Sequence, residues 1–188
     1  MINSYDSTRD NNGLTHITIK RCAFNHNGST GGYAVFSMYT DVRHELYSIL
    51  LEGNTFTRNS SHINRPIVGI YQTGLNDREI QGETMRSMIM RNNKFEENGS
   101  HGDGVVYISG IPNVDILDDN IFSSNTDKIE FNTEVLSYFI DNGYYLKKYL
   151  ELDQQIHCFN IIYVIQCHNT RISHLKIENN SCDCSNYT

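Results

Sequence analysis

The sequence predicts an all-β chain folded as a right-handed parallel β-helix, a solenoid of about five to seven irregular coils with inserted loops. Three observations support this prediction: a recurrent F-x-x-N signature, a second apolar strand after most signatures, and a high Asn content. Asn occurs twenty-two times, against two prolines and no tryptophan. Because Asn and Gly tolerate positive φ, this composition indicates many tight turns.

The F-x-x-N signature belongs to five segments that are predicted to share one register. In each segment an apolar strand leads past a small or Asn residue to Phe (Ile in the last), two polar residues and a final Asn. The segments are 17–27, 49–59, 88–98, 115–125 and 170–180. In a parallel β-helix, equivalent positions of successive coils stack about 4.8 Å apart.

Two files of side chains follow from this register. The aromatic positions predict an inward stack, in which ring contacts add to plain burial. The final Asn positions predict a ladder of side-chain hydrogen bonds, as in stacked β assemblies. The stack comprises Phe24, Phe56, Phe95, Phe122 and Ile177, and the ladder comprises Asn27, Asn59, Asn98, Asn125 and Asn180. A shorter file marks the preceding corner and comprises Asn54, Asn93 and Asn120, with Cys22 and Leu175 interrupting it.

A second apolar strand follows each of the first four signatures, at 31–39, 66–71, 104–109 and 135–140. Strand, corner, strand and loop is the order expected of a solenoid coil. The signature Phe and Ile positions are 32, 39, 27 and 55 residues apart, so the longer intervals require inserted loops. The longest interval is predicted to hold an extra coil with a decayed signature, in which 158–165 is a strand.

The domain organisation is predicted to be a single β-helix segment over residues 1–188, part of a longer chain. Neither end resembles the cap that a solenoid needs. Regular coils are expected over 14–140, a loop or helical excursion over 141–157, terminal coils over 158–181 and a tail over 182–188. A β-sandwich has similar short strands and turns, and composition alone does not exclude it.

Charge and hydropathy exclude several classes of partner. The formal charge is −7 and no basic block is present, which argues against a nucleic-acid partner. No apolar run approaches the length that spans a bilayer, so no membrane span is expected in this segment. The first residues lack the features of a secretion signal, which fits a cytosolic protein or a piece of a longer secreted one.

The cysteine count is odd, at five. Cys22 falls within a strand pattern and is predicted to be a small core residue. The other four are candidates for disulfides outside the cell, or for the start of a Cys-rich region: Cys158, Cys167, Cys182 and Cys184. Neither the cysteines nor the eight histidines have metal-ligand spacing, so no metal or cofactor is predicted.

The F-x-x-N units, together with the segment Gly31-Gly32-Tyr33-Ala34-Val35, resemble the repeats of chlamydial polymorphic outer membrane proteins. More broadly they resemble the pectin-lyase-like parallel β-helix superfamily. A looser glycine motif lies at 102–106, and the resemblance covers 14–140 and resumes near residue 158. It implies an adhesin-like structural module of a larger secreted or cell-surface protein. Such a module serves as a rigid stalk or filament-assembly element, with flanking coils or neighbouring copies as partners.

Many pectin-lyase-like proteins cleave polysaccharides, so the first alternative is a carbohydrate-binding or polysaccharide-degrading β-helix, a lyase or a glycosidase. Lookalikes of the pectin-hydrolysing motifs occur in the wrong order, at 100–102, 118–119, 125–127 and 171–173. Glycoside hydrolysis needs a pair of carboxyl groups, for which Asp103, Asp118 and Asp119 are weak candidates. Solvated corner acids are the favoured interpretation of these three, and the chain is interpreted as non-enzymatic.

A lyase needs clustered acids for calcium and a basic residue. Glu96, Glu97, Asp118 and Asp119 occupy comparable corners, with Arg91 nearby in register. This constellation is weak, because both glutamates lie at polar positions that every F-x-x-N unit exposes.

Other surface features leave further alternatives open. Tyr39, Tyr71 and Tyr107 are candidates for an outward sugar-stacking platform, with inward packing equally favoured. Five N-glycosylation motifs occur, at Asn27, Asn59, Asn98, Asn179 and Asn186. The first three lie in the predicted ladder, which leaves Asn186 as the best candidate for modification. The second alternative function is an intracellular scaffold in a large assembly, favoured if the cysteines are reduced.

Overall fold

The computed structural model describes residues 16–29, 35–41, 48–61, 66–73, 87–100, 104–126, 161–165, 167 and 169–181. Over these residues the chain is all-β: they form seventeen short strands in four parallel sheets and no helix. The all-β prediction is therefore confirmed for this part of the chain. The same residues also provide no helix of the length and apolarity that a membrane crossing requires.

The first two sheets contain five strands each. In spatial order, the first sheet consists of β1 (His16–Lys20), β5 (Ser48–Glu52), β9 (Ser87–Arg91), β13 (Asn113–Leu117) and β16 (Asn169–Ile172). The second consists of β2 (Ala23–Asn25), β6 (Thr55–Thr57), β10 (Lys94–Glu96), β14 (Ile121–Ser123) and β17 (Lys176–Glu178).

The remaining two sheets contain fewer strands, three and four. The third consists of β3 (Gly28–Ser29), β7 (Ser60–Ser61) and β11 (Gly99–Ser100), and single bridges continue it through Thr126 to Ser181. The fourth consists of β4 (Phe36–Asp41), β8 (Val68–Thr73), β12 (Val106–Ser109) and β15 (Ile162–Ile165).

The chain visits the four sheets in the same order each time, which defines a repeating unit. The first three units are β1 to β4, β5 to β8 and β9 to β12. The fourth unit contains β13, β14, Thr126 and β15, and the described part of the fifth contains β16, β17 and Ser181. Equivalent strands of neighbouring units pair in parallel.

The hydrophobic core follows from strand alternation, since successive side chains point to opposite faces. In β5, β9 and β13 the second and fourth residues are buried and the others are partly exposed. Leu51, Met90 and Ile116 are aligned across these strands and are 0–1% exposed. Burial of each such side chain contributes about 1.5–3 kcal/mol.

The fourth signature segment departs by one residue from the predicted register. Met88 pairs with Val114, not with Asp115. The extra residue lies at the following corner, where Asp118 and Asp119 both have positive φ. The shift keeps Val114 buried and Asp115 partly exposed, as strand alternation requires, because a one-residue slip would exchange the two faces.

The prediction of an extra unit between the fourth and fifth signatures is wrong. β15 pairs directly with β12, while β16 pairs with β13 and β17 with β14. Paired strands leave no room for another strand between them, so residues 127–160 are an insertion within the fourth unit. The strand predicted within 158–165 is the fourth member of its sheet. The strand predicted at 135–140, the excursion 141–157 and the tail 182–188 lie outside the described residues.

Gly110, directly after β12, supports a test of the packing between units. Its φ is 72°, and an added Cβ atom would lie 2.3 Å from the carbonyl oxygen of Gln72. We expect Gly110→Ala to lower the free energy of unfolding by about 3 kcal/mol, measured by urea denaturation.

The control for this substitution is Gly53→Ala. Gly53 has a φ of 65°, but its added Cβ would meet only Cγ of Arg21, at 3.5 Å. A loss of about 1 kcal/mol is expected from the backbone conformation alone. Equal losses at the two glycines would show that the contact with Gln72 does not matter.

Candidate functional site

A ladder of Asn side chains runs along the corner that follows the second sheet. In each of the first four units the Asn donates its backbone N–H and its side-chain amide to Oδ1 of the Asn in the next unit, at 2.8–3.1 Å. From the second unit onward, the amide also donates to the carbonyl of the signature Phe one unit earlier, at 2.7–3.0 Å. The members are Asn27, Asn59, Asn98, Asn125 and Asn180, as the sequence predicts.

A second ladder lies at the corner between the first and second sheets. Asn54 donates two hydrogen bonds to Oδ1 of Asn93, and Asn93 donates two to Asn120, all at 3.0 Å. All three are 0–1% exposed. In the first unit Cys22 replaces the Asn, and only its backbone N–H donates to Oδ1 of Asn54, at 3.0 Å. These bonds satisfy amides that would otherwise be costly to bury.

The backbone turns at both corners through the left-handed region. Before each residue of the first ladder stands a non-glycine residue with φ of 53–54°: His26, Arg58, Glu97, Ser124 and Asn179. This conformation disfavours residues with a Cβ atom by about 1 kcal/mol. The sequence carries no glycine signal at these five positions, so motif reasoning missed them. Their regular spacing before the ladder Asn is the signal that identifies them.

The predicted aromatic stack lies beside the ladder. The rings of Phe24, Phe56, Phe95 and Phe122 are nearly parallel, with centroids 4.6–4.8 Å apart and interplanar angles of 2–3°. Ile177 pairs with Phe122 in the strand register and is 55% exposed. Phe24 is only partly buried. The stack is therefore covered in the middle units and open at its two ends.

A file of tyrosines runs along the outer side of the fourth sheet. The ring centroids of Tyr71 and Tyr107 are 5.1 Å apart, and those of Tyr107 and Tyr163 are 5.3 Å apart. Gly69 makes room for the first ring, since a Cβ there would lie 2.5 Å from Cε2 of Tyr71. The rings of Tyr71 and Tyr107 are stacked on each other, and those of Tyr107 and Tyr163 are tilted by 45°. Stacking of Tyr71 on Tyr107 covers one face of each ring, which leaves fewer open ring faces for a sugar. The side chain of Tyr39 lies outside the described part.

Cross-unit ion pairs occupy the outer surface of the first sheet. Glu52 accepts hydrogen bonds from Arg91, and its carboxylate lies 2.9 Å from that guanidinium and 3.2 Å from Lys20 Nζ. The hydrogen bonds from Arg91 and then Lys20 hold the pKa of Glu52 below its ordinary value. A hydrogen bond from Arg171 likewise lowers the pKa of Asp115.

The residues considered for a lyase site do not converge. Arg91 is engaged with Glu52, Glu96 contacts Lys94 at 2.6 Å, and Glu97 pairs with Arg58, whose hydrogen bond lowers the pKa of Glu97. The described residues contain no group of three or more His, Cys, Asp or Glu side chains able to hold a metal ion.

The acids considered for hydrolysis are placed as follows. Asp118 and Asp119 are exposed at the corner after β13, and both have positive φ. The corner between β13 and β14 is one residue longer than the equivalent corners of the other units, and Asp118 and Asp119 lie in it. Asp103 lies outside the described residues, so the carboxylate pair suggested by the sequence stays a prediction.

One cysteine prediction is wrong. Cys22 is exposed, because β1 and β2 end their sheets and no described strand covers that side. Cys167 forms no disulfide with a described residue; its Sγ donates to the Ile165 carbonyl at 3.2 Å, and the residue packs against the core. The predicted disulfides of the C-terminal cysteines stay a prediction. Burial raises the pKa of the Cys167 thiol. The remaining candidates, Cys158, Cys182, Cys184 and Asn186, lie outside the described part of the chain.

Substitution of a ladder Asn is expected to cost more stability in the middle of the ladder than at its exposed end. Asn98 is fully buried and both its oxygen and its nitrogen are hydrogen-bonded, so Asn98→Ala leaves several buried polar groups unsatisfied. We expect a loss of about 3 kcal/mol in the free energy of unfolding, measured by urea denaturation. The matched control is Asn27→Ala at the exposed end, for which a loss of about 1 kcal/mol or less is expected. A larger effect at Asn27 would contradict a cooperative, buried ladder.

Acid is expected to destabilise the fold through the cross-unit ion pairs. Glu52, Glu97 and Asp115 have lowered pKa values in the folded chain. Their stabilising contribution is present above their unfolded pKa values, near about pH 4, and is lost as the pH falls through the lower folded values. Urea midpoints between pH 7 and pH 3 (roughly the range of carboxyl titration) should therefore fall less for Glu52→Gln than for the wild type.

The control for the pH experiment is Glu178→Gln. The Glu178 carboxylate contacts Lys176 of its own strand, at 3.1 Å, so this ion pair links no two units. Its replacement should not reproduce the effect of Glu52→Gln on the urea midpoints. A slope unaffected by Glu52→Gln would show that the Lys20–Glu52–Arg91 column does not stabilise the fold.

No family model matches the chain, and neither a curated protein nor a solved structure matches it. The relation to the pectin-lyase-like superfamily and to the chlamydial repeats therefore stays a prediction from motifs. The described residues themselves establish an all-β chain with in-register parallel sheets, two Asn ladders and a Phe stack.

Proposed function

We propose that the chain forms a right-handed parallel β-helix that serves as a rigid structural module, a stalk or filament-assembly element, of a larger secreted or cell-surface protein. The observation that carries this proposal is the Asn ladder, which links five consecutive units through side chains. A ladder of this kind holds units together along their stacking direction and offers no chemistry to a substrate.

The order in which the chain visits its sheets supports the β-helix. Each unit passes through the first, second, third and fourth sheets before it returns to the first, and equivalent strands pair in parallel. Such a path fits successive coils wound in one direction. The right hand is the expected one, because crossovers between parallel strands of one sheet are right-handed in nearly all proteins.

Rigidity is supported by the burial of both the apolar and the polar files. Phe56, Phe95 and Phe122 are fully buried, and the ladder residues beside them, Asn98 and Asn125, are buried as well. Regions with dense buried contacts and buried hydrogen bonds open rarely. The ion pairs of the outer surface add further links between units.

The cell-surface location is supported by the motif resemblance, and burial limits which N-glycosylation motifs could be used there. Asn59 and Asn98 are at most 1% exposed and their amides are hydrogen-bonded, so neither accepts a glycan in the folded chain. Asn179 is exposed at its corner, and Asn186 remains the predicted acceptor. A secreted chain therefore carries glycans away from the middle of the ladder.

The alternatives have narrower support. A carbohydrate-active β-helix would rely on Asp118 and Asp119, which are exposed corner residues, and on tyrosine rings that stack against one another. An intracellular scaffold is favoured by one observation, the free thiols of Cys22 and Cys167. Mass measurement before and after treatment with reductant and glycosidase separates the secreted module from the intracellular scaffold.

The structural role is tested by small-angle X-ray scattering together with a polysaccharide assay. We expect the scattering curve of a compact, rigid particle, and no new reducing or unsaturated ends when acidic polysaccharides are incubated with the chain, with or without calcium. The control is the double variant Asp118→Asn/Asp119→Asn, which should behave like the wild type. Ends released by the wild type and not by the double variant would establish an enzyme instead, and the scattering of a flexible chain would exclude a rigid module.

A further inference from the structure

The exposed large hydrophobic side chains of the described residues all lie on the last strands of their sheets. Tyr163 on β15 is 40% exposed, Ile172 on β16 is 48% exposed and Ile177 on β17 is 55% exposed. One unit earlier the equivalents of the two isoleucines, Ile116 and Phe122, are fully buried. The apolar columns therefore continue to the last unit and are left uncovered there, in contrast to an ordinary solvated surface.

The Asn ladder has a direction. Each Asn donates to Oδ1 of the next unit, and Asn180, in the last unit, accepts two such bonds at 2.8 Å. Among the described residues no acceptor meets the backbone N–H of Asn180, and no donor meets Oδ1 of the exposed Asn27 in the first unit. The last unit thus presents a donor and the first unit presents the matching acceptor.

The two end units also match in shape and polarity along the strand register. The register runs without interruption from Ile19 to Ile172 and from Phe24 to Ile177. Ile19 and Phe24 are only partly buried. A copy of the first unit placed beyond Asn180 would continue these columns. It would place Ile19 and Phe24 on Ile172 and Ile177, and Oδ1 of its Asn beside the N–H of Asn180, for which no described residue is an acceptor.

Charge does not oppose this arrangement. The charged residues that point away from the core on β16 and β17 are Arg171, Lys176 and Glu178. The first-unit residues of the same columns are Thr18, Ala23 and Asn25, all uncharged. No like charges would therefore meet along these three columns. Among the described residues no further strand covers β1 and β2 on one side or β16 and β17 on the other, so their edges can supply the backbone groups for parallel pairing.

We infer that a second copy of this chain stacks head to tail on the first, with β1, β2 and Asn27 of one copy on β16, β17 and Asn180 of the other. The strands pair in parallel, and the Asn ladder and Phe stack continue across the junction. Such a contact joins two different surfaces and repeats without closing, so it builds a filament. The inference rests on the proposed function, because it names the partner of the filament-assembly element.

The test is sedimentation equilibrium of the 188-residue chain over a range of concentrations. We expect association that grows with concentration, and about a tenfold or greater weakening of it from either Ile177→Arg or Phe24→Arg. An equimolar mixture of these two variants should form a one-to-one dimer, because the intact first unit of one meets the intact last unit of the other. Asn27→Ala replaces Phe24→Arg if circular dichroism shows that the latter does not fold.

The matched control is Thr57→Arg, an outward position on a middle strand, which should associate like the wild type. A monomer at every concentration would overturn the inference, because no second copy would then cover the last unit. Association that survives in both end variants, or a mixture that associates no more than its components, would overturn it as well. The scattering curve of a compact, rigid particle for a monomeric chain separates this failure from failure of the rigid-module proposal.

Discussion

The hydrogen bonds to the Asn Oδ1 atoms are the interaction on which the rest of the structure depends. From the second unit onward, each ladder oxygen accepts hydrogen bonds from both the backbone N–H and the side-chain amide of the Asn one unit earlier. The same acceptor therefore fixes the positions of the side chain and of the main chain of that residue. The residue before each ladder Asn lies in the left-handed region, and none of these residues in the first ladder is glycine. The cooperative bonds of the ladder offset the cost of these turns.

Fixed corners explain how units of unequal length share one core. The ladder and the Phe stack repeat with side chains in constant register, while the sequence between equivalent Asn residues varies from 27 to 55 residues. The variation falls on segments between the fourth and first sheets and between the third and fourth. In the fourth unit, the corner between β13 and β14 contains one extra residue, and Asp118 and Asp119 both have positive φ there. Asn120 nevertheless accepts the hydrogen bond of Asn93 in the second ladder. Insertions thus leave the stacked positions unchanged.

The stacked positions were predictable from sequence, because Phe and Asn recur at the same distance within each signature. The strand before the fourth signature was not, because Asp115 matched the spacing of its neighbours while the true register follows the buried face through Val114 and Ile116. Spacing alone also suggested an extra unit in the longest interval, whereas the direct pairing of β12 and β15 leaves no place for one. Exposure of Cys22 and Asn27 depends on being at the end of the described sheets, which composition does not reveal.

The ladder also affects how readily two of its own Asn residues deamidate. Asn27 and Asn98 each precede a glycine, the context in which an Asn side chain is most readily converted to Asp through a cyclic imide. At Asn98 the attacking nitrogen, that of Gly99, is engaged with the Asn59 carbonyl at 2.8 Å, and the side-chain amide is held on both sides. The bonds that organise the fold therefore also protect the middle of the ladder from deamidation. Of these two residues, the exposed Asn27 is the one open to deamidation, and the new carboxylate there would meet solvent.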